Sequence, residues 1–160
     1  MVINIKNSSG FKNYFKNELK SLVKYVLENE SKSNRIFKKF LKKIPLSKCE
    51  VNLFLVNDSQ IKKYNKKFFN HNSSTDVISF SMIENEIMPN NNIIGDIIIS
   101  LSTIKKNSKL YKTSFKDELF LVVIHGILHI LGYEHKNEKS IMRIKEKRYL
   151  KNFLNNVLKR

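Results

Sequence analysis

His125-Gly126-Ile127-Leu128-His129-Ile130-Leu131-Gly132-Tyr133-Glu134-His135 gathers three of the chain's four histidines into eleven residues. On a helix, positions i and i+4 lie one turn apart on the same face. His125 and His129 can therefore present their rings to one ion. Gly132 supplies the residue type that ends a helix in a left-handed turn, and His135 can then return to the same ion from another side. Three imidazoles with a fourth position left open is the arrangement of a catalytic zinc site, because structural zinc is usually closed by four protein ligands. A lone histidine on an apolar helix would read as a core residue. Three at this spacing, with the glycine between them, predict one zinc ion per chain on His125, His129 and His135.

The pattern His-x-x-x-His-x-x-Gly-x-x-His resembles the metal cage of the metzincin metalloproteases, with one difference. Those enzymes carry a glutamate general base directly after the first histidine, and this chain has Gly126 there. Glycine inside a helix costs roughly 1 kcal/mol relative to alanine. The absent side chain is therefore expected to serve either close packing or room beside the metal.

Outward from this stretch, Ser114 caps a helix from Phe115 that is apolar nearly all round, the mark of a helix running through the core. Residues 93–99 are almost continuously apolar and read as a strand buried on both faces. Alternation predicts further strands over 2–5, 49–56 and 75–80. Helical spacing predicts an amphipathic helix over 12–29, a short helical stretch around Phe37, Phe40 and Leu41 before Pro45, and a helix over 100–111. Asn57-Asp58-Ser59 provides cap chemistry for a helix over 60–68. A last basic helix is expected over 136–159, and 84–92 is a polar excursion long enough to be a mobile loop.

At 160 residues, with 41% hydrophobic and 28% charged residues, the chain is expected to be one domain spanning 1–160 and large enough to bury a core. No apolar run approaches the ~20 residues of a membrane span. The opening Met1-Val2-Ile3-Asn4-Ile5-Lys6 lacks the layout of a signal peptide. The single cysteine, Cys49, excludes an internal disulfide framework and suits a cytoplasmic protein. A formal charge of +16 points to a polyanionic partner, nucleic acid above all. A second reading is codon usage. Arginine occurs only at 35, 143, 148 and 160, so the excess is lysine, abundant together with Asn and Ile as in an AT-rich genome.

Together these residues resemble the YbeY family of metal-dependent endoribonucleases. The likeness is carried by His125-Gly126-x-Leu128-His129-x-x-Gly132-Tyr133-x-His135. It extends to Val56-Asn57-Asp58 through Tyr64-Asn65, Thr75 to Phe80, Gly95 to Ser100, and Met142 with Glu146. The resemblance implies an α+β fold, a small mixed sheet packed against several helices with a buried, zincin-like metal-binding helix. It implies zinc on His125, His129 and His135, and a single-strand-specific endoribonuclease in late-stage 70S ribosome quality control and 16S rRNA 3′-end maturation. Ribosomal RNA, the ribosome and ribosomal or assembly-factor proteins would be its partners. In one respect the chain departs from the family, which often carries an arginine where Phe69 stands.

Gly126 cannot take a proton, so Asp76 and Asp96 are the candidates for base or for a partner behind the metal ligands. Glu134 is expected to be exposed. Two other functions compete with the nuclease: a rRNA-binding assembly factor that does not cut and whose zinc is structural, and a zinc peptidase. The missing glutamate and the surplus of positive charge argue against the peptidase.

Overall fold

A computed structural model describes residues 1–12, 14–83, 92–134 and 140–157. The elements in chain order are β1 (Val2–Asn7), α1 (Lys16–Ser33), α2 (Arg35–Leu41), a 3₁₀ turn at Leu46–Lys48, β2 (Glu50–Val56) and α3 (Asp58–Phe69). They continue with β3 (Val77–Ser81), β4 (Ile93–Ser100), α4 (Leu101–Leu110), α5 (Phe115–Ile130) and α6 (Ile141–Val157). The strands form one sheet in the order β1-β2-β4-β3, with β1, β2 and β4 parallel and β3 antiparallel to β4. This is the α+β architecture with a small mixed sheet that the resemblance implied.

Most element ends follow local chemistry. The Asn57 side chain accepts from the Gln60 N–H while Gln60 reaches back to the Asn57 N–H, a reciprocal cap that starts α3 two residues earlier than expected. Ser100 and Ser114 cap α4 and α5 through their hydroxyls. The helix expected over 12–29 instead begins at Lys16 and runs to Ser33. Its start is displaced because Phe15 is left-handed, with φ 55°, and its ring packs edge-on against Phe120. The excursion at 84–92 falls outside the described residues save for Asn92, as do His135 and the first residues of the expected last helix.

The two sheet faces differ. Successive strand residues point to opposite sides, so Val51, Leu53, Leu55, Gly95, Ile97, Ile99, Val77 and Ser79 share the face on which α5 lies. The main core sits there, where α5 is flanked by α1 and α6. The other face carries a smaller cluster of Val56, Ile61, Ile78 and Ile98 under α3. Beside it runs a polar ladder. Asn4 donates to Asn52 at 3.0 Å and Asn52 donates to Asp96 at 2.8 Å. Asp58, in the first turn of α3, ties that helix to α4. Its carboxylate accepts from Ser100 Oγ at 2.6 Å, Thr103 Oγ1 at 2.7 Å and Lys106 Nζ at 2.5 Å.

Two glycines set the distance between α5 and the sheet. A Cβ on Gly126 would stand 2.8 Å from Ile97 Cγ2 and 3.1 Å from Ser79 Oγ. One on Gly95 would meet the Phe80 carbonyl at 2.7 Å and Ile130 Cγ2 at 2.8 Å. Gly126 therefore faces the sheet and is buried. Of the two readings of that residue, close packing holds. The expectation of room beside the metal at residue 126 is corrected, since Ile97 and Ser79 occupy that side.

Candidate active site

From Leu121 to Ile130 every residue of α5 is buried except Leu121, His125 and His129. These are i, i+4 and i+8, one line along the helix. The helix that carries the core is thus open along a single stripe, and two of its three residues are histidines. Their ring centroids lie 4.6 Å apart at 73°.

His125 is held from behind. Its Nδ1 lies 2.9 Å from Glu146 Oε1 on α6, and the Glu146 side chain is only 3% exposed. Arg143, one turn earlier, places Nη1 3.6 Å from the other carboxylate oxygen. A carboxylate accepting from Nδ1–H fixes the tautomer and puts the ring's lone pair on Nε2. Glu146 is the residue that sequence reasoning quoted but gave no role. Its signal was present, because Met142, Glu146, Tyr149 and Phe153 recur at helical spacing and all are buried, so an acid interrupts an apolar stripe.

The end of α5 is shaped as its glycine implies. Gly132 has φ 84°. Its N–H bonds the His129 carbonyl at 3.0 Å, and the Tyr133 N–H bonds Leu128 at 3.0 Å, the paired bonds of a Schellman turn. Tyr133 is then anchored from α1. Its hydroxyl donates to Glu30 Oε2 at 2.8 Å, while Lys145 Nζ at 2.7 Å and the Tyr149 hydroxyl donate to Glu30 Oε1. Glu30 is fully buried. Burial, then the Glu30 hydrogen bond and charge, push both phenols above their usual pKa. The chain thus leaves the turn towards His135 from a fixed point.

The structure does not bring the two candidate aspartates to the imidazoles. Asp96 alternates with Ile97, which abuts Gly126, so its carboxylate lies on the opposite face with Asn52. Asp76 accepts from the Val77 N–H and Thr75 and lies close enough to Glu118 to help burial raise that carboxyl's pKa. Glu118 precedes His125 by seven residues, about 10 Å along the helix at 1.5 Å per residue. Glu134 is exposed, as expected. Among the described residues no three ligating side chains stand together, and His135 lies outside them.

Fold and site define an α+β domain that exposes two imidazoles, one of them oriented by a buried carboxylate, on an otherwise buried stretch of helix. The family model described as endoribonuclease YbeY matches residues 4–154. An endoribonuclease YbeY of Nautilia profundicola is 39% identical over 106 residues, covering 66% of this chain and 73% of that protein. One from Clostridium botulinum is 30% identical over 170 residues, covering 94% and 95%. A solution structure of a Thermotoga maritima protein superposes with a TM-score of 0.61 at 30% identity, over 99% of this chain and 93% of that one. The chain belongs to the YbeY family of endoribonucleases. No helix among the described residues is long and apolar enough to cross a membrane.

Proposed function

We propose that this chain is a cytoplasmic, zinc-dependent endoribonuclease specific for single strands. It matures the 16S rRNA 3′ end and acts in late-stage quality control of 70S ribosomes. Ribosomal RNA and the ribosome are its partners, together with ribosomal or assembly-factor proteins. The observation that carries the reading is the open stripe of α5, where His125 and His129 are the only polar residues of an otherwise buried stretch. Family membership supports the nuclease class.

The donor set suits zinc: two imidazoles one turn apart, one of them backed by a buried carboxylate. His125 and His129 would hold one ion per chain, with His135 as the third ligand. Bound there, zinc would supply Lewis acidity for hydrolysis of an RNA phosphodiester. Glu146 orients His125, a part that sequence reasoning had offered to Asp76 and Asp96. The Glu30 cluster steadies the turn that leads to His135. Lysine-rich surface attracts the substrate's phosphates. Gly126 argues against a peptidase, since any side chain there would press into the sheet rather than face the imidazoles.

Elemental analysis and cleavage of single-stranded ribosomal RNA fragments test the reading together. The parent should hold near-stoichiometric zinc and cut. His129→Ala should lose both, while Glu146→Gln should keep the fold and weaken zinc binding about 10–100-fold. Full zinc retention in His129→Ala overturns the ligand set. A zinc-replete parent that binds RNA without cutting it would assign the chain to non-cleaving assembly factors with a structural zinc.

A further inference from the structure

The face of the sheet opposite α5 carries an aromatic surface that the imidazole site does not use and that extends beyond the smaller cluster on which Phe80 packs. Tyr64, Phe68 and Phe69, all on α3, are 40%, 51% and 48% exposed. Tyr64 and Phe68 are i and i+4, and their rings are parallel within 4° at 6.5 Å between centroids. Phe80 of β3 joins them, edge-on to Phe68 at 4.9 Å and stacked on Phe69 at 6.1 Å. Four aromatic rings therefore make one continuous, half-open surface. Rings in such mutual contact form a patch, whereas isolated exposed aromatics are common and need no explanation.

A lysine borders this surface, and the helix bears others. Lys63, Lys66 and Lys67 are exposed on the same helix, and Lys67 Nζ lies 5.3 Å from the Phe68 ring centroid. Exposed rings with a lysine against one of them and further lysines on the same helix match the two chemistries of a single strand of nucleic acid, flat bases and a phosphate backbone. A duplex does not fit the description, because its base faces are already stacked on one another. The location is also apt. β3 is the edge of the sheet. Its Ser79 abuts Gly126 beside His125 on one face, and its next residue, Phe80, belongs to the aromatic surface on the other. A strand of RNA passing over that edge would meet both.

We propose that Tyr64, Phe68, Phe69 and Phe80 form a base-stacking platform for single-stranded RNA, with the α3 lysines contacting its phosphates. The platform rests on the endoribonuclease reading for its substrate class and adds to it where the strand lies. It also gives Phe69 a positive role: a ring that stacks bases stands where the family often has a cation.

Leucine substitutions test it, because they keep apolar cover over Ile78 and Ile98 while removing the ring. Binding of fluorescein-labelled oligoadenylate and oligouridylate is measured by anisotropy over a salt series, with a duplex of equal length as control. Phe68→Leu should weaken single-strand binding about tenfold and leave the duplex unchanged. Lys67→Gln should instead flatten the log–log salt slope by roughly 0.7. Thermal melting checks that the variants fold. Parental affinity in Phe68→Leu combined with Tyr64→Leu overturns the platform, as does a parent that binds no single strand. So does a double variant whose RNA affinity is intact but which no longer binds ribosomal protein, since the patch is then a protein dock. Cleavage by the parent is followed separately. Ring-independent binding with cleavage intact removes the platform and leaves the nuclease, whereas ring-dependent binding without cleavage keeps the platform and removes the nuclease.

Discussion

The two faces of the sheet were built under different constraints. On the α5 face, contact is close enough that two glycines are needed to admit it. Two of the acids that enter this side, Glu30 and Glu146, are buried and multiply bonded. On the α3 face the acid of β4 points to a ladder of amides, and large rings stay half in water. Apolar character alone does not separate the two, since both bear Val, Ile and Phe. What separates them is tolerance: one face leaves no volume for change, and the other leaves a surface free to take part in recognition.

The sharpest way to break this contrast is at Gly126. A glutamate there would force its Cβ into Ile97 Cγ2 and bring an unpaired carboxylate into the buried helix–sheet contact. The expected cost is about 4 kcal/mol, read as a fall in Tm of about 10 °C. A variant that melts with the parent would show that α5 can stand off from the sheet, and the asymmetry would be lost.

Next in size is Glu30→Ala. It strands Lys145, whose side chain is only 12% exposed, and removes the acceptor of two tyrosine hydroxyls. A loss of about 3 kcal/mol in denaturant titration is expected. Stability within experimental error of the parent would mean that the cluster rearranges freely and does not anchor Tyr133.

The smallest effect is expected at Asp58, on the α3 side. Burial raises its carboxyl pKa, but hydrogen bonds from Lys106, Ser100 and Thr103 and the Lys106 charge outweigh that and bring it from 3.8 down to about 2. A depressed carboxylate stabilises the fold above its unfolded pKa. That contribution fades as pH falls from about 4 through about 2. With Asp58 partly open to solvent, the contribution is of order 1 kcal/mol. Asp58→Asn should therefore be less stable than the parent at pH 6, and the gap should narrow towards pH 2. A gap independent of pH would show that the bonds are those of geometry and not of charge.

Much of this arrangement was legible in the chain. Ser114, the apolar run after it and Gly132 fix α5 and its end by local chemistry alone, and local chemistry is what a sequence displays. The histidine spacing survives into the structure for the same reason, since i and i+4 share a helix face whatever packs around them. Glu30 and Glu146 were harder to read. An acid within an apolar helical stripe looks like a tolerated surface residue until the groups that bond it are known, and here such groups lie 103 or 21 residues away. Asp96 failed for another cause. β4 is apolar on both faces, so alternation gave no phase by which to tell which side its carboxylate would take. Gly126 stood between two readings because an absent side chain does not say which neighbour needs the space.

The reliance of His125 on Glu146 also has a consequence in time. The histidine lies 21 residues ahead of its partner, and chains are synthesised at about 5–20 residues per second. The ring therefore exists for on the order of a few seconds before the carboxylate that orients it has been made, and α6 must still emerge and dock after that. The oriented imidazole is thus completed only once α6 has been made and has docked, well after the helix that carries the ring.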